Sequence, residues 1–200
     1  MIISIVYVII GIIVTGYIEK RFSDKFIARK VLHLLMANWW FIRMYCIEDE
    51  WIWIGPFLAI GITYWYCKTY SSRMGMVYFC VALTIMTILT TCNRNLIFEA
   101  SASILILGYA DSFAAVVGRY YQLRKGKIPQ KSHLGSVVFG ITAAFILYVA
   151  SQLWGGGMSI SICLIIAFIS AIFERKVFPE LDNIVVPGIV FVLVHIYELL

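Results

Sequence analysis

The stretch Ala110–Ser136, ADSFAAVVGRYYQLRKGKIPQKSHLGS, closes one apolar run, crosses a basic loop and opens another apolar run. The apolar segments on either side are long enough to span a hydrocarbon core as helix, so this junction reads as the turn between two transmembrane helices at a membrane surface. Asp111 stands among apolar neighbours, and Ala114, Ala115 and Gly118 share its helical face at about 100° per residue. A carboxylate placed there costs several kcal/mol unless it is paired, hydrated or neutralised, and small residues around it mean that something approaches closely.

Working outward, the 200 residues are 62% hydrophobic and 14% charged, which is outside the range of a soluble domain and marks an integral membrane protein. Runs at 2–18, 31–47, 51–67, 74–92, 96–118, 135–154, 158–173 and 184–199 predict an all-α, polytopic transmembrane bundle of about eight spans. The number is seven if the second run, which contains His33, Asn38 and Arg43, lies on the surface as an amphipathic helix. With no repeat and no long linker, residues 1–200 are expected to form a single integral membrane domain.

Charge gives the expected orientation. Lys20, Arg21, Lys25, Arg29 and Lys30 follow the first run, Lys68 and Arg73 the third, Arg119, Arg124, Lys125, Lys127 and Lys131 the fifth, and Arg175 and Lys176 the seventh. The alternate gaps are poor in cations, so the positive-inside rule places the basic gaps in the cytoplasm and both termini outside. The formal charge of +5 is thereby a topology signal rather than a nucleic-acid surface. Cys46, Cys67, Cys80, Cys92 and Cys163 lack the paired spacings of zinc or redox motifs and are read as buried thiols.

Three clusters fall in cytoplasmic gaps. The central one is Asp111 and Arg119 with Lys131-Ser132-His133-Leu134-Gly135-Ser136, where cations, hydroxyls and a glycine at a helix start make a phosphate cradle. Gly126 and Pro129 shape the loop between them. The alternative is a basic loop with a serine cap. The second cluster is Arg29-Lys30 with His33 four residues after Arg29, and the third is Glu174 with Asp182 and Asn183. Asn183 is expected to cap the last helix, with Pro187 among its first four amides, leaving Asp182 and Glu174 for a cation. A buried carboxylate near a phosphate-shaped loop suits a site for Mg²⁺ and a nucleotide.

Taken together, Arg29-Lys30-x-x-His33, Ala110-Asp111-x-x-Ala114 leading to Gly118-Arg119, Lys131-Ser132-x-x-Gly135-Ser136, and Glu174 with Asp182-Asn183-x-x-x-Pro187 resemble the membrane lipid kinases that include dolichol kinase, phytol kinase and the yeast-type, CTP-dependent diacylglycerol kinase. The resemblance implies transfer of the terminal phosphoryl group of a nucleotide, CTP rather than ATP, to an isoprenoid alcohol or diacylglycerol at the cytoplasmic face. It implies Mg²⁺ on Asp111, Asp182 and Glu174, and nucleotide contacts from Arg29, Lys30, Arg119, Lys131, Ser132, Gly135, Ser136 and Asn183. Asp111, Lys131 and His33 are the expected catalytic residues, with His33 deprotonating or orienting the alcohol. The family often carries Gly-Asp and an acid before Gly-Ser, where this chain has Ala110-Asp111 and His133-Leu134.

A looser similarity to phosphatidate cytidylyltransferases implies a CDP-lipid product instead, and a small-anion or lipid transporter is the non-enzyme alternative. Expected partners are the lipid alcohol, the nucleoside triphosphate and membrane lipids, with no nucleic acid and with a homo-oligomer left open.

Overall fold

The computed structural model describes residues 2–22, 25–46, 48–69, 74–126, 128 and 131–200. Arg73, Lys127 and Pro129, which the basic-gap and loop readings used, lie outside the described residues. Every regular element among the described residues is helical: α1 (Ile2–Phe22), α2 (Lys25–Tyr45), α3 (Ile54–Thr69), α4 (Gly75–Cys92), α5 (Ile97–Leu105), α6 (Asp111–Arg124), α7 (His133–Trp154), α8 (Ile160–Lys176) and α9 (Asp182–Glu198). A π-helical turn, Ile106–Ala110, joins α5 to α6. Each of the eight predicted runs therefore falls on helix.

Three of these, Gly75–Cys92, the continuous Arg94–Arg124 and His133–Trp154, are long and apolar enough to cross a membrane. Helix α7 shows what that means locally. It buries Phe139, Ala143, Leu147 and Ala150 while exposing Val137, Ile141 and Phe145, so it is apolar on both sides. A helix of that kind has its outer face suited to lipid rather than water.

The chain divides into two compact units, a finer organisation than a single domain over 1–200: Met1–Asn95 with Pro179–Ile184, and Leu96–Phe178 with Val185–Leu200. In the first unit α1 packs on α2 and α3, and α4 on α2 and α3. The Trp39 indole N–H donates to Ser4 Oγ at 3.1 Å, and that hydroxyl donates to the Ile52 carbonyl at 3.0 Å. Trp39, Trp40, Met36 and Leu32 are all buried, so α2 supplies the core of this unit.

In the second unit Phe98, Ala102, Ile106, Ala110 and Ala114 recur every four residues along α5, the π turn and α6, and join Phe139, Ala143, Leu147, Cys163, Val186, Val190 and Val194 in one core. Alanine at three of the five positions lets α7 approach closely. Gly155 ends α7 against the Phe98 ring, where an added Cβ would lie 2.6 Å from Phe98 Cδ1.

Candidate functional site

Within the second unit, Asp111 comes directly after the π turn, and its amide donates to the Ile106 carbonyl five residues back. A π turn inserts one extra residue into the helix and re-aims the side chains beyond it, a device common at functional sites. Asp111 is half-buried, and Ser112 beside it is buried with no hydrogen-bond partner at Oγ. The small-residue face after Asp111 does receive a close neighbour. A Cβ on Gly118 would lie 2.8 Å from Ser132 Oγ, and one on Gly135 would lie 3.0 Å from the Ala114 carbonyl oxygen. The neighbour is thus the start of α7, held against α6 by two glycines.

Ser132 is the N-cap of α7, and its Oγ accepts from the Gly135 amide at 3.0 Å. The Ser136 amide and hydroxyl both donate to the Ser132 carbonyl, at 3.0 and 3.3 Å. Ser132, Gly135 and Ser136 thus lie together, with these groups engaged in capping and in the glycine seam. This is the arrangement of the serine-cap alternative, since the space beside Gly135 holds protein rather than an opening.

Lys131, one residue upstream, reaches the end of α8. Its ammonium donates to the Glu174 carbonyl and to the Val177 carbonyl at 3.3 Å, and stands 3.4 Å from Glu174 Oε1. A cation at a helix carboxyl end satisfies carbonyls left without intrahelical donors and meets the negative end of the helix dipole. Glu174 is buried, and an oxygen of its carboxylate lies within 4.8 Å of one from Asp111. Two carboxylates and a lysine ammonium therefore converge where α6, α7 and α8 meet. Arg119 comes after Gly118 on α6 and is half-buried.

In the first unit Arg29, Lys30 and His33 lie along α2. Lys30 and His33 are buried, and the His33 ring stacks on Phe79 with centroids 4.7 Å apart. The Arg29 guanidinium lies over the Phe26 ring at 5.9 Å. Asn183 is not the cap of α9. It is the second residue of that helix, and its side-chain amide donates to the Glu180 carbonyl at 3.2 Å while Gly75 leaves room beside it. Asp182 opens α9 and accepts from the Glu180 amide at 3.1 Å. Glu180 has φ 90°, a left-handed backbone held by this bond and by the Met74 amide donating to its Oε2 at 3.0 Å. Pro187 lies within α9, deeper than its first four amides, so the Asn183 carbonyl loses its usual donor.

Two further pairs are not marked by any motif in the sequence. Glu99, buried in α5, binds His195 Nδ1 at 2.9 Å, and its other oxygen has no hydrogen-bond partner. His133 contacts Arg175 at 2.5 and 2.9 Å through both ring nitrogens. A single acid inside an apolar run was the available signal for the first pair. For the second, the signal was the adjacency of each residue to a site residue. No protein family, curated protein or solved structure matches the chain.

Proposed function

We propose that the chain is a membrane lipid-alcohol kinase that moves the terminal phosphoryl group of a nucleoside triphosphate, CTP in preference to ATP, onto an isoprenoid alcohol or diacylglycerol. The observation that supports this is the convergence of Asp111 and Glu174 beside Lys131 at the start of α7. Two partly buried carboxylates so close together repel one another; Lys131 offsets Glu174, and a bound cation would offset the charge that remains. In this reading Asp182, the first residue of α9, supplies the third carboxylate.

The donor set fits Mg²⁺, because hard cations take carboxylate oxygen in preference to imidazole or thiolate. The ion, when bound, neutralises charge on the nucleotide phosphates during transfer. Lys131, which contacts Glu174, would be the cation for the phosphates if Glu174 were to hold the metal. Arg119 on α6 and Arg29 and Lys30 on α2 supply further positive charge, and Ser132 with Gly135 and Ser136 fixes the α7 terminus from which Lys131 projects. Asn183 holds the turn before α9 for the nucleotide. His33 orients the alcohol, and a loose transition state asks little of a base.

The proposal places all eight helical runs across the bilayer, with both termini outside and the carboxylates on the cytoplasmic side, as the charge pattern suggests. Purified protein incubated with CTP labelled on the terminal or the α-phosphate, together with lipid alcohols and phosphatidate, tests it. Terminal label in a lipid is the expected result. An α-label in lipid would identify a cytidylyltransferase, and absence of label from every lipid would remove the enzymatic reading.

A further inference from the structure

His133 opens α7 and Arg175 lies in the last turn of α8, both exposed. Arg175 Nη1 is 2.5 Å from His133 Nδ1 and Nη2 is 2.9 Å from Nε2. Arginine offers only donors. A neutral imidazole accepts at one nitrogen and donates at the other, so only one of these contacts is a hydrogen bond and the second sets N–H against N–H. A protonated imidazole makes both contacts donor against donor and adds like-charge repulsion. Among the described residues no carboxylate forms an ion pair with either side chain. In neither protonation state do the two exposed side chains satisfy one another, so their remaining donors face solvent, where one group with several anionic oxygens and no donors can take them together.

We infer that His133 and Arg175 form a clamp for a phosphate group, an anion subsite beside the carboxylates. Its position favours this ligand. His133 is next to Ser132 at the amino end of α7, where the helix dipole is positive, and the charge of Glu174 beside Arg175 is offset by Lys131 at 3.4 Å. The guanidinium fork takes two phosphate oxygens at once, and the imidazole N–H takes a third. The phosphate belongs either to the nucleotide or to a lipid headgroup. Only its assignment to substrate or product of this site rests on the kinase reading.

The test uses the full chain in uncharged detergent, without turnover. Calorimetry with inorganic tripolyphosphate reads the nucleotide-like source, and calorimetry with phosphatidate against phosphatidylcholine in mixed micelles of the same detergent reads the lipid source. Arg175→Gln and His133→Gln are expected to weaken one of these probes about tenfold each, and Arg175→Lys to lose part of that affinity because it keeps charge but not the fork. The probe that weakens names the source. Variants whose elution profile and far-UV circular dichroism match the parent, but which bind both probes as the parent does, overturn the clamp. Loss of probe binding without any label transfer would retain the clamp and reject the kinase.

Discussion

The Lys131 ammonium bridges two helices at one point, 3.4 Å from Glu174 Oε1 and within hydrogen-bonding reach of the Glu174 and Val177 carbonyls. One side chain thereby neutralises a buried carboxylate and closes the end of α8. Removing it leaves Glu174 buried without this cation. Lys131→Met should lower stability by about 1–3 kcal/mol, seen as a fall in thermal midpoint in detergent, and should also reduce nucleotide affinity. A midpoint equal to the parent's would show that Glu174 does not depend on the bridge.

The seam between α6 and α7 predicts costs of different origin at its two glycines. Gly135→Ala sets a methyl group 3.0 Å from the Ala114 carbonyl, which is backbone and yields little, whereas Gly118→Ala meets Ser132 Oγ at 2.8 Å, which can rotate only by giving up its cap to the Gly135 amide. Each should cost about 1–3 kcal/mol. Ser132→Ala, which loses the cap alone, should cost about 1 kcal/mol. Denaturation midpoints for the three variants measure this directly, and a neutral Gly135→Ala would mean that the helices stand further apart.

Glu99 and His195 join α5 to α9 inside the second unit. Glu99→Ala removes the partner of a half-exposed histidine and opens a void in a tightly packed region. A loss of about 2–4 kcal/mol is expected, with Glu99→Gln recovering much of it because a neutral side chain still accepts from the ring N–H. Equal losses in both variants would show that charge, rather than the hydrogen bond, holds the helices.

The exposed pair Glu48–Arg94 gives a pH-dependent signature. Arg94 donates to Glu48 at 2.7 and 3.1 Å, and this hydrogen bonding, then the guanidinium charge, holds the Glu48 carboxyl below its usual range. A lowered carboxyl contributes stability that is present above its unfolded value and lost as pH falls through the folded one. Arg94→Gln should therefore move the Glu48 titration upward in carboxyl NMR. An unmoved titration would mean that the pair does not persist in solution.

Much of this arrangement was legible in the sequence because it depends on run length and spacing. Apolar runs located every helix, and the step from Asp111 to Ala114 and Gly118 announced a close neighbour. The neighbour's identity was not legible, since Gly135 reads alike whether its open side faces a phosphate or the Ala114 carbonyl. Nor does a π turn leave a sequence signature, because one extra residue in a turn changes direction without changing composition. Glu99 was hidden by distance, its partner being 96 residues away. Asn183 was misplaced as a cap because Asp182, one residue earlier, already begins the helix.

Phosphoryl transfer that depends on the Asp111 and Glu174 carboxylates is the core of the proposed function. Its most direct measurement is Mg²⁺-dependent transfer of terminal label from CTP to a lipid alcohol by the parent chain and by Asp111→Asn, each checked for monodisperse elution. Transfer by the parent is expected, with a loss of at least about a thousandfold in the variant, roughly 4 kcal/mol of transition-state stabilisation. Undiminished transfer by Asp111→Asn would contradict it.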